Sequence, residues 1–233
     1  MSQMGAQVFL TGASNRVLDR VAELAATGAI VAGCAADLTH ATSATDVVEA
    51  AVAALGGLDI VVNNAGMTSV ERPMHESGEA GDATQIPVAG WLASLDRNVN
   101  SAFYITRAAL PHLRRSGRGR IIMMSSVTGP VMAIRCDVAY ATSKAAMVGL
   151  TKALAVDEAP RGVTANAVAP GWIATSSQLE AESGHGAATP MGRSATSDEV
   201  AAIVAWLATR EASYVTGQVI VVDGGNSIAE ERG

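Results

Sequence analysis

Tyr140 and Lys144 stand four residues apart in the stretch "YATSK". On an α-helix that spacing puts two side chains one turn apart on one face, so a phenol and an ammonium can share a site. A cation held beside a phenol favours the phenolate and draws its pKa down from about 10 toward the range of a neutral-pH acid/base catalyst. Surface helices also bring Tyr and Lys together at this spacing, so the pair gains meaning from its company. Ser126 closes the strand-like run "GRIIMMSS", while "NNAG" (Asn63 to Gly66) and "APGW" (Ala169 to Trp172) close two others. Asn98, in the helical stretch "NVNSAF", can order water or backbone near Lys144.

Short β-type runs alternating with helical patterns must position these residues. "QVFL", "AIVAGCA", "LDIVV", "GRIIMMSS", "VTANAVA" and "QVIVVDGG" read as strands. Arg16 to Thr27, Ala44 to Leu55, Trp91 to Leu113 and Val138 to Asp157 read as helices, and Thr196 with Glu199 forms a capping box before "VAAIVAWLA". The alternation predicts an α/β fold, a single doubly wound, mostly parallel sheet of about six strands with helices on both faces. Ligands are then expected at the C-terminal ends of the strands. Residues 1–233 are read as one domain, with two long polar, Gly-rich segments, about 67–90 and 173–193, as lids over that face. Met67, Met74, Ile86, Leu179 and Met191 are their apolar anchors. Trp172, Trp206 and Met147 read as packing residues.

The sequence resembles the short-chain dehydrogenase/reductase superfamily over nearly its whole length. The resemblance is carried, in the family's order, by Thr11-Gly12, "DLT" (Asp37 to Thr39), "NNAG", "NVNSAF", "SSVTG", "YATSKAAMVGLTKALA", "VTANAVAPGWIAT" and "VTGQVIVVDGG". It implies a Rossmann-type fold in which Tyr140 donates or accepts a proton at a substrate oxygen and Ser126 hydrogen-bonds that oxygen. Lys144 would tune Tyr140 and hold the nicotinamide ribose, and Asn98 would keep a proton-relay water in place. Asn63, Ala65 and Gly66 would line the cofactor channel, and Pro170, Gly171, Ile173 and Thr175 the nicotinamide end. Ser126 and Tyr140 are fourteen residues apart, one more than the family spacing, so Ser125 stands as the alternative serine. Asn63, Asn64 and Gly66 have a plainer reading as turn formers at a strand end.

Two departures concern the other half of the cofactor site. The family's first turn is T-G-x-x-x-G-x-G; here Arg16 and Leu18 replace the later glycines, which let backbone approach a pyrophosphate and let helix pack on strand. Arg16 can be read as a phosphate ligand with Thr11 and Gly12, but Leu18 is expected to fill the space. Between Thr27 and "GGLDIVVNNAG" the chain has one strand and one helix where the family has two strands, so one strand–helix unit is missing from the adenosine wall. Asp37 is therefore either a ribose-binding acid or a cap for the next segment.

The bulk numbers close off several classes. A net charge of −6 with scattered cations lacks a footprint for nucleic acid, and "RRSGRGR" reads as the basic end of a helix. No apolar run reaches the roughly 18–20 residues that span a bilayer, and His40, His75, His112 and His185 lack metal-site spacing. Cys34 and Cys136, without a leader-like start, point to a cytoplasmic protein with no disulfide framework. The small-residue helix Val138 to Ala155 suits a subunit interface, and the resemblance implies a homodimer or homotetramer.

The expectation that follows is an enzyme acting at a carbonyl or hydroxyl carbon of a small organic substrate. Because the damage is confined to the pyrophosphate and adenosine side, the favoured reading is non-redox chemistry: dehydration, cyclisation or isomerisation without a cofactor. The alternative is the family's own NAD- or NADP-linked ketone reduction or alcohol oxidation. A third reading is a catalytically silent partner of an active relative.

Overall fold

The computed structural model describes residues 1–66, 78–175 and 180–230, and Met67, Met74 and Leu179 lie outside them. The core is a parallel ladder of β3 (Ile60–Asn63), β4 (Arg120–Met124), β5 (Thr164–Pro170) and β8 (Val219–Val222), in that spatial order. Alternation along the strands feeds two apolar layers. Ile121, Met123, Ala165 and Ala167 join Leu113 and Met147 on one face, whereas Ile122 and Val168 join Val200, Val204 and Leu207 on the other. The first layer is covered by α2 (Ala41–Leu55), α4 (Ser101–Ser116) and α5 (Val138–Glu158), and the second by α7 (Ser197–Leu207). The small side chains expected on α5 let it lie close: Ala139, Ser143, Met147, Thr151 and Ala155 are all buried.

β1 (Val8–Gly12) and β2 (Val31–Ala35) form a second parallel ladder, Val8 opposite Val31 and Gly12 opposite Ala35. Every long strand is parallel to its ladder neighbours, but no ladder joins β1 to β3 among the described residues. This end of the fold is thinly covered. Every residue of β1 is only half-buried, α1 (Arg16–Ala26) buries none, and Ile30 is 63% exposed.

The capping box is present: Thr196 Oγ1 accepts the Glu199 N–H at 3.3 Å and the Thr196 N–H donates to Glu199 Oε2 at 2.8 Å. The basic run closes α4 with Arg114 and Arg115 in its last turn and Gly117 in the left-handed conformation. Trp91 to Leu113 is not one helix. It is divided into α3 (Val88–Leu95), a π-helical turn (Asp96–Asn100) and α4. In the second lid segment a two-residue strand pair, β6 (Ile173–Ala174) with β7 (Ala195–Thr196), brackets α6 (Glu180–Ala187).

Candidate active site

Strand β4 delivers the serines. The Ser125 N–H donates to Val168 O at 2.8 Å, and its hydroxyl donates to the Lys144 carbonyl at 2.8 Å, tying the strand end to α5. Ser125 is thus spent on architecture. Ser126 Oγ accepts the Thr128 N–H at 3.1 Å, which uses a lone pair and leaves its proton for another acceptor.

Lys144 is 3% exposed; its Nζ donates to Met124 O at 2.9 Å and stands 5.5 Å from the centre of the Tyr140 ring. Burial lowers its pKa to about 8, because the charged form loses hydration that one carbonyl only partly replaces. Tyr140, one turn earlier on α5, is half-buried, so the phenol and ammonium share a face as their spacing requires.

Asn98 sits in the π-helical turn, 1% exposed. Its Nδ2 donates to Ser94 O at 2.9 Å, but its Oδ1 is buried with no partner among the described residues. That oxygen faces Gly66: a Cβ there would come within 2.6 Å of Asn98 Oδ1 and 3.5 Å of Lys144 Nζ. Gly66, Asn98 and Lys144 therefore wall one small polar cradle next to Tyr140. An acceptor buried without a donor is costly unless something is meant to bind it.

Other expected residues are placed less simply. Asn63 turns inward, donating from Nδ2 to Thr106 Oγ1 at 3.0 Å and Met123 Sδ at 3.2 Å. It braces β3 against α4 and β4 at the buried strand end, just before Ala65 and Gly66. Asp37 closes a local turn before α2, whose own N-cap is His40: Oδ1 accepts the Thr39 N–H at 2.9 Å and the Thr39 hydroxyl at 2.7 Å. The Thr39 bonds hold its carboxyl below the ordinary range. It does lie at the end of β2 beside the first turn, where the Ala36 N–H donates to Gly12 O at 2.9 Å.

In the first turn, Thr11 Oγ1 is buried without a partner among the described residues, and Ala13 through Arg16 are exposed. The N–H groups of Val17 and Leu18 donate back to Ser14 O at 3.2 Å and Asn15 O at 2.8 Å, which tightens the helix start. Leu18 is 45% exposed and so is not wedged between helix and strand as the sequence suggested. Close packing there falls to Gly33 on β2, where a Cβ would come within 2.9 Å of Val21 Cγ2 and 2.4 Å of Leu10 O.

After β5, the Gly171 N–H donates to Val222 O at 2.9 Å, and a Cβ on Gly171 would meet Asp223 Cβ at 2.8 Å. This contact fixes the exit of Pro170, and Ile173 packs against the Val168 layer. Trp172 stacks on His185 of α6, centroids 4.9 Å apart and planes 19° apart, so it does pack. Met147 is fully buried, but Trp206 is 42% exposed.

Two features were not singled out in the sequence. Glu79, 2% exposed, makes a bidentate ion pair with Arg97 of the π-helical turn at 2.5 and 3.1 Å, clamping the first lid segment to the turn that carries Asn98. Asp137, just before α5, is the other: its Oδ1 is buried without a partner among the described residues, and burial raises its carboxyl to about 6. Among the described residues no group of His, Cys, Asp or Glu could hold a metal ion.

The family model described as enoyl-(acyl carrier protein) reductase matches residues 1–227. The chain belongs to the short-chain dehydrogenase/reductase family. It is 35% identical to the oxidoreductase UcpA of Salmonella typhimurium, covering 97% of this chain and 87% of that one. It is 36% identical to the 3-oxoacyl-[acyl-carrier-protein] reductase FabG of Vibrio cholerae, over 83% of this chain and 76% of the relative. Among solved structures, a double mutant of a Serratia marcescens short-chain dehydrogenase/reductase has a TM-score of 0.86 at 32% identity, covering 97% and 89% of the two chains. Acetoin dehydrogenase YohF of Salmonella typhimurium has a TM-score of 0.84 at 31% identity, covering 98% and 90%. The family and the Rossmann-type fold expected from the motifs are thus shown, and the chain is an enzyme of this family.

Proposed function

We propose that this enzyme reduces a ketone, or oxidises the matching secondary alcohol, on a small organic substrate with NAD or NADP. The reading is carried by the cradle of Lys144, Asn98 Oδ1 and Gly66 beside Tyr140, which fits the ribose and nicotinamide end of such a cofactor. Oxidoreductase, reductase and dehydrogenase names among the relatives support it. Bound there, the nicotinamide would supply or take the hydride. Tyr140 gives the proton to the substrate oxygen or takes it back, and Ser126 donates a hydrogen bond to that oxygen as charge develops on it. Lys144, with a nearby cost to its own charge, favours the phenolate of Tyr140 in the half-reaction that needs a base. The exposed apolar Val156 on α5 supports a homo-oligomer.

A second reading, acid/base chemistry without redox, draws on one observation. The first-turn N–H groups of Val17 and Leu18 are already bonded within the turn, and the glycines that admit a pyrophosphate are Arg16 and Leu18. Calorimetric or fluorescence titration with NADH and NADPH separates the two. Micromolar binding of either is the expected result; its absence, with turnover of a carbonyl substrate retained, would transfer the assignment to the non-redox reading.

A further inference from the structure

In a doubly wound fold a dinucleotide spans the crevice at the strand ends, one nucleotide on each half of the sheet. The two halves are unequally built here. On the side of β3, β4 and α5, Asn98 is 1% exposed with Oδ1 unpartnered among the described residues, and Lys144 is 3% exposed. Gly66 closes on both, since a Cβ there would come within 2.6 Å of Asn98 Oδ1 and 3.5 Å of Lys144 Nζ. A buried acceptor and a buried ammonium in one cradle call for a polar ligand.

The other half is open. Among the described residues β1 pairs with β2 alone, and no strand pairs with the outer edge of β2. Ile30, which leads into β2, is 63% exposed, and α1 buries no side chain. Where Gly66 is confined, Gly12 is not: a Cβ there would meet nothing nearer than Val17 Cβ at 3.8 Å. Asp37, just past β2, is committed within its own segment, Oδ1 to Thr39 and Oδ2 3.8 Å from His40 Nε2. Arg16 is exposed, where a contact with phosphate is screened by water and salt. What remains on this side is Thr11 Oγ1, buried without a partner among the described residues. One hydrogen bond is worth about tenfold in affinity at most.

We propose that the hydride donor is gripped through its nicotinamide nucleotide, the adenylate half adding no more than about tenfold in affinity, so that reduced nicotinamide mononucleotide is held nearly as well as a dinucleotide. This rests on the reading of the enzyme as NAD- or NADP-linked.

Calorimetric titration of the wild type with NADH, NADPH and reduced nicotinamide mononucleotide, with AMP as competitor, tests it without requiring turnover. The mononucleotide is expected to bind within about tenfold of the tighter dinucleotide, and millimolar AMP to displace neither. A larger dinucleotide advantage, or displacement by AMP, overturns the proposal and leaves the NAD(P) reading standing. Failure of all three nucleotides to bind overturns both. Gly66→Ala puts a Cβ into the cradle and is expected to weaken mononucleotide and dinucleotide alike, by about tenfold or more. A mononucleotide affinity unchanged in that variant would place binding outside the cradle and overturn the proposal. Hydrogen exchange on the wild type stands in should Gly66→Ala not fold. Both nucleotides are expected to slow exchange in residues 60–66 and 94–100, whereas greater protection of residues 8–35 by the dinucleotide than by the mononucleotide would show the adenylate half gripped and overturn the proposal.

Discussion

Tyr140 carries the heaviest assignment, and its removal is the sharpest check at the level of single residues. Tyr140→Phe keeps the ring over Lys144 and deletes only the hydroxyl, so turnover is expected to fall by about 100-fold or more with little change in melting temperature. Unchanged steady-state turnover would displace Tyr140 from the centre. Two buried ionisable groups give opposite pH signatures. Asp137 is raised from 3.8 to about 6, so the stability it allows is full below pH 3.8 and is lost as pH rises through about 6. Asp137→Asn should therefore melt higher than the wild type at pH 7.5, with the gain gone at pH 3.5. Lys144 is lowered from 10.5 to about 8, so its cost is full below about 8 and is relieved as pH climbs toward 10.5. Lys144→Met should be stabilised at pH 7 and lose that advantage toward pH 10.5, read by thermal melts. The sequence made the Tyr140–Lys144 pair legible by residue type and spacing, whereas the roles expected of Ser126 and Asn98 came from the family resemblance. It hid Asp137, whose position before a helix looks like ordinary capping, and it gave no sign of the Asn63 partners Thr106 and Met123, which are remote in the chain.

Among the elements, the π-helical turn Asp96–Asn100 matters most for the site. An extra residue in one helical turn re-aims the side chains on it, and such turns recur at functional sites. It was not legible because "WLASLDRNVNSAF" has no glycine or proline to announce an interruption. The Arg97 clamp holds this turn against the first lid segment. Arg97→Gln leaves Glu79 buried without its cation, and chemical denaturation is expected to show a loss of about 3–5 kcal/mol. Gly66→Ala probes the opposite wall of the cradle: the new Cβ would lie 2.6 Å from Asn98 Oδ1. Displacing that amide should lower kcat/KM about tenfold or more, and the melting temperature should fall as well, because Gly66 has a φ of +154° that a side chain strains. The capping box at α7, by contrast, was readable from four consecutive residues, since both of its hydrogen bonds are local.

For the whole molecule, the alternation of strands and helices was enough to give the layers and the face where ligands sit. It did not show that the sheet would be divided into two ladders, because strand pairing depends on cover supplied by elements elsewhere. Assembly belongs to this scale too. Val156 on α5, the helix proposed to meet a second copy, is 76% exposed. Val156→Asp should shift the light-scattering mass toward the monomer, whereas an unchanged mass would place the interface elsewhere.

The separation of β1 and β2 from the central ladder also divides the protein in time. Residues Val8–Ala35 bury no side chain below the surface layer, while β4 and β5 lie at the centre of both apolar layers. Opening of the N-terminal portion should therefore cost far less than global unfolding, and its amides should exchange with deuterated solvent well before those of Ile121–Met123 and Ala165–Val168. Anything that grips the first turn must first hold that portion closed. A true ligand there would announce itself by slowing deuterium uptake across Val8–Ala35, even where it leaves the exchange of the central strands untouched.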